Sequence, residues 1–216
     1  MAFYDLSHPI ESGMPVFPGD PLPRLVPIRG APPWRVSALE LSTHTGTHID
    51  APSHRFPDRR TIDEFSPEHF IRSGIVIPAS GLDEDQSIGP EFLKPFIGRV
   101  RAGGIVVFAT GWERYWGQPR YARHPYLSDV VAAILVDCRV GIVGIDALNV
   151  DSTVQGTTSV HEQLLGADVL IVENLRGLDQ LVPGKRYTFS VLPLPIGGGD
   201  GSPVRAVAWE PTTRFT

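Results

Sequence analysis

Apolar residues in this chain gather into short blocks set apart by proline, glycine and small polar residues. The blocks at 74–78, 104–109, 140–145 and 167–172 are near-continuous and rich in valine and isoleucine, the pattern of strands buried on both faces. Residues 36–41 alternate as a strand does, and 3–6, 187–194 and 204–209 complete the predicted strands. Helical periods are few and short. Ser128 is a good N-cap for a helix over 128–138, where Val131, Ile134 and Leu135 share helical spacing. Pro90 opens a short helix over 90–97, and 158–165 reads as another. Strands interleaved with short helices predict an α/β domain on a mixed sheet. Near the N-terminus, 9–33 is a proline-rich arm with turn chemistry at P-G-D (18–20) and at Pro32 and Pro33. No internal repeat or linker-like tract divides the chain, so one domain over 1–216 is expected.

Composition excludes several classes of function. With 216 residues and 42% hydrophobic content the chain can bury a full core. Its 21 prolines and 22 glycines follow no period, which indicates a loop-rich fold. The net charge of −5, with both signs interspersed, leaves no basic footprint for nucleic acid. Apolar runs such as 105–109 and 169–172 are too short to span a bilayer, and M-A-F-Y-D lacks the basic and apolar regions of a signal peptide. A single cysteine forms no intrachain disulfide, so a reducing cytoplasm is the expected compartment.

The chemistry concentrates in 42–54, S-T-H-T-G-T-H-I-D-A-P-S-H, which carries three of the seven histidines and an aspartate. Neutral imidazole and carboxylate are the donors that Zn²⁺ and similar first-row divalent ions bind best. Thr43, Thr45, Thr47 and Ile49 are β-branched, Gly46 interrupts them and Pro52 closes the run, so the segment is extended. His44, Gly46, His48 and Asp50 then line one side. A straight strand would hold His44 and His48 about 13 Å apart, so a turn at Gly46 is expected to aim His44, His48 and Asp50 at one point. His54 would stand nearby as a supporting or catalytic group; the competing reading is a solvated edge strand. Two remote candidates join them: His161, opening H-E-Q-L-L-G, and Glu173, ending the strand of A-D-V-L-I-V-E-N-L, where strands deliver functional groups to a sheet edge. Taken singly, these are an ordinary helix-end histidine and an ordinary ion-pairing carboxylate.

With these motifs the chain resembles the cyclase family of metal-dependent hydrolases, which includes bacterial kynurenine formamidases and isatin hydrolases. The resemblance is carried by D-L-S-H-P-I (5–10), M-P-V-F-P-G-D (14–20), H-T-G-T-H-I-D-A-P-S-H (44–54), G-I-D-A-L-N-V-D (144–151), H-E-Q-L-L-G-A-D-V-L-I-V-E-N-L (161–175) and G-D-G-S-P-V-R-A-V-A (199–208), nearly the whole chain. It implies a swivelling β/β/α-type fold with a mixed sheet or barrel-like core and short peripheral helices. It further implies homodimers or homotetramers in which a neighbour's N-terminal arm often completes the pocket. His44, His48 and Asp50 are implied as ligands of a first metal, with Asp50 able to bridge to a second; His161 and Glu173 are the remaining ligands and His54 the general acid–base. The implied cofactor is one or two divalent ions per subunit, zinc first and manganese second. The implied activity is hydrolysis of a non-peptide C–N bond by metal-bound hydroxide, as an arylformamidase of tryptophan catabolism turning N-formylkynurenine into kynurenine and formate. Opening of an isatin-type lactam, and a non-catalytic binding role, are the alternatives. Two departures bear on substrate. Phe17 stands where the formamidases carry a tryptophan that stacks on the aromatic substrate, and D-A-L-N-V-D replaces their D-T-P-S-V-D. Phe17 can still stack on an aryl ring.

Other features have plainer readings. Cys138 is expected as a small buried hydrophobe. G-G-G-D-G-S-P (197–203) lacks the Lys-Ser/Thr of a phosphate loop and reads as a turn near the site, with Asp200 and Ser202 as further candidates for touching substrate. His69 and His124 read as surface residues and His8 as structural. Trp112, Tyr115 and Trp116 read as packing. No G-x-S-x-G elbow is present for a serine hydrolase.

Overall fold

The computed structural model describes residues 2–28, 30 and 33–211. In chain order its first half runs β1 (Phe3–Asp5), β2 (Arg24–Ile28), β3 (Val36–Glu40), β4 (His48–Asp50), β5 (Ile71–Pro78), β6 (Ser87–Ile88), helix α1 (Pro90–Leu93) and β7 (Ile105–Ala109). The second half runs β8 (Tyr126–Leu127), α2 (Asp129–Asp137), β9 (Ile142–Ile145), α3 (Ser159–Gly166), β10 (Leu170–Glu173), β11 (Arg186–Ser190), β12 (Gly201–Pro203) and β13 (Val207–Trp209). Nine strands form one mixed sheet in the order β1-β13-β11-β5-β7-β9-β10-β4-β12. Its centre, β5-β7-β9-β10, is parallel, and the pairings to either side are antiparallel.

The central strands read as unbroken apolar runs because both of their faces are covered. Ile75, Val106, Phe108, Val143 and Ile145 point to a core shared with Val131 and Leu135 of α2 and Leu164 and Leu165 of α3. The alternating residues Val76, Val107 and Ile142 point to a second core with Leu6, Ile49, Phe189 and Ala208, inside the curl of the sheet. Each such side chain, fully buried, stabilises the fold by about 1.5–3 kcal/mol. Ser128 caps α2 as its sequence predicts, its hydroxyl accepting from the Val131 amide.

The predicted strand over 204–209 is cut back to β13, and β12 forms just before it in residues that the sequence reads as a turn. β12 ends at Pro203, Val204 makes only an isolated bridge to Pro193, and β13 starts at Val207. The break between them has a topological cause. β12 ends the strand order on one side and β13 lies one strand in from the other end, yet only residues 204–206 join them. At about 3.3–3.6 Å per residue that link cannot reach across a flat sheet, so the sheet must curl until its ends nearly meet. The amide of Leu6 bonding to the carbonyl of Ala206, and Ser7 bridging to Leu175, close the same seam.

The proline-rich arm holds a strand that the pattern does not predict. β2 pairs antiparallel with β3 as a separate hairpin, with Pro27 opposite Ser37, a place proline tolerates because a two-stranded ribbon leaves one edge free. The turn expected at Pro32 and Pro33 falls partly outside the described residues, since Pro32 is not among them. His124, expected at the surface, is fully buried, its ring bonded to the Pro125 carbonyl and the Thr153 hydroxyl. His69 is half-buried against Phe65. Cys138 is half-buried against the first core.

Candidate metal centre

Strand β4 sits between β10 and β12, and this placement assembles the site. Its register sets His48 directly opposite Glu173, and Asp50 opposite Ile171 on one side and Gly201 on the other. His48 and Asp50 are two residues apart and so share a face, onto which Glu173 also projects. Just upstream the chain reverses at Gly46, whose φ of +65° belongs to the left-handed region. A Cβ there would lie 2.8 Å from Met14 Cε, the movable end of a flexible side chain, so the left-handed backbone is what reserves the position for glycine. The bend brings His44 back beside β4, with His44 Nδ1 2.8 Å from Asp50 Oδ1.

α3 supplies the third imidazole. Its first turn is capped by Asp151: one carboxylate oxygen accepts from the Val160 amide (3.0 Å) and the other from the His161 amide (2.9 Å). The second oxygen also accepts from His161 Nδ1 at 2.8 Å. One carboxylate therefore starts the helix and orients its histidine. His161 Nε2 then faces Glu173 Oε1 at 3.5 Å and Asp50 Oδ2 at 3.7 Å.

All three imidazoles follow one rule. Each holds one nitrogen against the protein and turns the other toward Asp50, with His48 and His161 also facing Glu173. His48 Nδ1 donates to the Gly46 carbonyl at 2.8 Å, leaving Nε2 3.3 Å from Asp50 Oδ1 and 3.5 Å from Glu173 Oε2. His44 Nε2 is 3.1 Å from Asp200 Oδ2, leaving Nδ1 to Asp50. The Gly46 carbonyl is itself fixed by Asn174 Nδ2 (3.0 Å), and Asn174 Oδ1 accepts from the Tyr121 hydroxyl (2.8 Å). Outer hydrogen bonds of this kind fix the tautomer and aim of metal-binding histidines.

The donor set fits a divalent cation. His44, His48 and Asp50 bring ligand atoms within 4.8 Å of one another, as do Asp50, His161 and Glu173, so Asp50 belongs to both groups. Asp50 Oδ2 is buried with no hydrogen-bond partner, a costly arrangement for a carboxylate oxygen unless a cation meets it. The titration of the cluster points the same way. Burial works against charge on His44 and His161, yet Asp200 and Asp50 raise His44, and Asp151 and Asp50 raise His161, each to about 10. Burial would raise Asp50, but His48, His161 and His44 hold it well below its usual range. Burial and the Asp50 charge raise Glu173. The carboxylates here hold protons on the His44 and His161 imidazoles, and a bound cation would displace those protons.

The centre floors a cavity of about 370 Å³. Pro15, Val16, Phe17 and Leu148 form its apolar wall; Asn149, Ser152 and Thr157 add polar groups. Phe17 lines it while remaining 40% exposed. His54 also lines it, outside the Asp50–Glu173 convergence. Trp112 packs with Tyr121 and Leu148 in a small core, with Tyr115 and Trp116 against it, so the aromatic cluster backs the wall. Ser202 is fully buried, accepts from the Leu194 amide, and does not reach the cavity.

The Cyclase family model matches residues 4–152, more than half of the chain. The chain belongs to the Cyclase family. It is 34% identical over 216 residues to a kynurenine formamidase of Paracidovorax citrulli, covering 96% of each chain. It is 31% identical over 215 residues to that of Geobacillus thermodenitrificans, covering 94% of each. Among solved structures, isatin hydrolase A of Ralstonia solanacearum superposes with a TM-score of 0.86 at 26% identity, over 96% of this chain and 91% of its own. An isatin hydrolase bound to the product analogue thioisatinate superposes at 0.89 and 22% identity, over 97% and 92%, a likeness of fold.

Within this cyclase-family fold, the five residues singled out as ligands converge, and His54 stands beside them. Sequence reasoning missed the supports: Asp151, Asn174 and the His44 contact of Asp200. Asp151 and Asp200 lie in motifs that carry the resemblance, but their roles depend on which distant histidine each meets.

Proposed function

We propose that this cyclase-family protein is a metal-dependent hydrolase of the C–N bond in small aromatic amides, an arylformamidase releasing formate from N-formylkynurenine. The observation that carries this reading is the convergence of three imidazole nitrogens on Asp50 and Glu173, with an unpartnered Asp50 oxygen, beneath a cavity walled by Phe17 and Leu148. His44, His48, Asp50, His161 and Glu173 would hold the ion or ions; the mixed N/O donor set suits zinc first and manganese second. When bound, a divalent ion supplies a Lewis acid for the carbonyl and lowers the pKa of water to about 7. The chain's own residues do the rest. The apolar wall seats the aryl ring and excludes bulk water from the amide. His54 accepts a proton as water adds to the carbonyl and returns it to the nitrogen as the C–N bond breaks. Products are formate and the free amine.

Opening of an isatin-type lactam is the second reading, supported by the likeness to isatin hydrolase A and by Phe17 standing where the formamidases carry tryptophan. The exposed hairpin supports a homo-oligomer, dimer or tetramer, in which the single domain formed by 1–216 lends its arm to a neighbour. No described helix is long and apolar enough to cross a membrane, and the lone cysteine supports action in the cytoplasm.

The test uses chelator-stripped protein reloaded with Zn²⁺ or Mn²⁺ and assayed on N-formylkynurenine and on isatin. Metal-dependent formate release is the expected outcome. Ring opening of isatin alone would transfer the assignment to a lactam hydrolase. Inactivity on both, with metal shown to be bound, would remove the reading.

A further inference from the structure

We propose that Asp200 is the positioning residue that sets His54 for proton transfer and, through the same carboxylate oxygen, steadies His44 at the metal centre. The inference rests on the reading of His54 as the proton carrier given above. Asp200 Oδ2 is 3.1 Å from His44 Nε2 and 3.3 Å from His54 Nδ1, and the two rings stand 4.0 Å apart between centroids. Asp200 lies behind both rings and does not line the cavity. It therefore acts on the substrate only through the histidines.

The backbone delivers Asp200 there with little freedom. Its carbonyl accepts from the Ala51 amide at 2.8 Å, and the next residue, Gly201, pairs with Asp50. A Cβ on Gly201 would lie 2.9 Å from His44 Cε1 and 2.8 Å from the Ile49 carbonyl oxygen. Glycine at 201 lets β12 approach until main chain touches the His44 ring, and this approach sets the Asp200 carboxylate between the two imidazoles.

An ionised carboxylate only accepts hydrogen bonds. Both protons must then come from the rings, as His44 Nε2–H and His54 Nδ1–H. The consequence differs for each ring. With zinc bound, His44 gives up the proton that its Nδ1 otherwise shares with Asp50, and that nitrogen is the face offered to the cation. His54 is left with a bare Nε2, the atom able to take a proton from water adding to the carbonyl. That proton leaves Nε2 for the departing nitrogen, and Asp200 ends the cycle as it began, ionised. Without the acceptor, His54 is free to rotate and to carry its proton on Nε2, the tautomer that cannot act as a base there.

The experiment reads the tautomer directly. Full-length, zinc-loaded protein labelled with ¹⁵N-histidine is examined by long-range ¹H–¹⁵N correlation, with His54 assigned by the signals lost in His54→Gln. The native protein is expected to show His54 as the Nδ1–H form. Asp200→Ala is expected to move it toward Nε2–H, with the isosteric Asp200→Asn intermediate. Zinc affinity is expected to fall roughly 10- to 100-fold in Asp200→Ala, the usual cost of losing a partner behind a ligating histidine. On the amide the native protein hydrolyses, kcat at saturating zinc should fall by about tenfold or more, with KM changed less than about twofold. A native His54 already in the Nε2–H form, or a tautomer unmoved in both variants, would overturn the proposal. The spectrum needs no turnover, so failure on every amide would count against the functional reading while leaving Asp200 to be judged by the tautomer.

Discussion

At the scale of single residues, the centre is defined less by its histidines than by what fixes their other nitrogens. The Gly46 carbonyl, Asp151 and Asp200 each hold one ring nitrogen, and the free nitrogens then face Asp50 or Glu173. The spacing of His44, His48 and Asp50 makes a metal site legible in the sequence, because a β-branched run broken by glycine has few other reasons to carry imidazoles. The hydrogen-bond partners are not legible, since a carboxylate 156 positions from the histidine it orients would look like any other and only the strand register reveals it. His54 differs from the other three rings in this respect: its side chain is 35% exposed and its contact is to Asp200, away from Asp50 and Glu173. His54→Ala is accordingly expected to retain its metal, by elemental analysis, while turnover falls by about 10²–10⁴. Loss of metal in that variant would make His54 a ligand.

At the scale of elements, β4 does the assembling and the β2–β3 hairpin stands apart. A three-residue strand is short, but β4 is flanked on both sides, and its neighbours bring Glu173 and Gly201 to its register. The hairpin has no such cover. Every residue of β2 and β3 is exposed, with Leu25 at 53%, Leu39 at 55% and nearby Trp34 at 77%. A two-stranded ribbon is marginal alone in water, and its large exposed apolar side chains are the surface that the proposed homo-oligomer would cover. Leu25 and Leu39 are register partners, so the pair Leu25→Glu with Leu39→Glu places two like charges across the ribbon. Light scattering is expected to find the native protein oligomeric and the double variant shifted to monomer, with its circular dichroism preserved. A native protein that is already monomeric would remove the hairpin from any role in self-association.

At the scale of the whole molecule, the curl of the sheet closes a seam near which two acids are held against their preference. Glu113 accepts from the Gly177 amide at 2.6 Å, and burial pushes it up from 4.5 to about 7. Burial likewise pushes Asp146, which accepts from Thr110 and Gly111, up to about 6. For Glu113 the folded state binds more protons than the unfolded one between about pH 4.5 and 7. Its contribution is therefore most favourable at the acid end, is lost as pH rises through that window, and stays lost above it. Glu113→Gln keeps an acceptor for Gly177 but cannot ionise. Urea denaturation is expected to show the variant gaining on the native protein as pH rises from 5 to 8, by on the order of 2 kcal/mol at the alkaline end. An equal difference at both pH values would mean that Glu113 does not ionise in this range.

The sequence by itself determined the α/β class, the buried central strands, the capped helix α2 and the candidate ligands, because each depends on local chemistry: runs of valine and isoleucine, a serine before a helical period, and imidazoles spaced about a glycine. It also carried the family, through motifs spread over nearly the whole chain. Tertiary structure alone decided which distant groups meet. Val204–Ala206 leaves the strand state because the sheet must turn back on itself there. His124 is buried because Thr153, 29 positions away, arrives to satisfy its ring. Asp200 becomes a partner of two histidines because β12 pairs with β4 across more than 140 residues of chain. Local pattern records what each residue prefers, while long-range register, which no local pattern encodes, selects its neighbours.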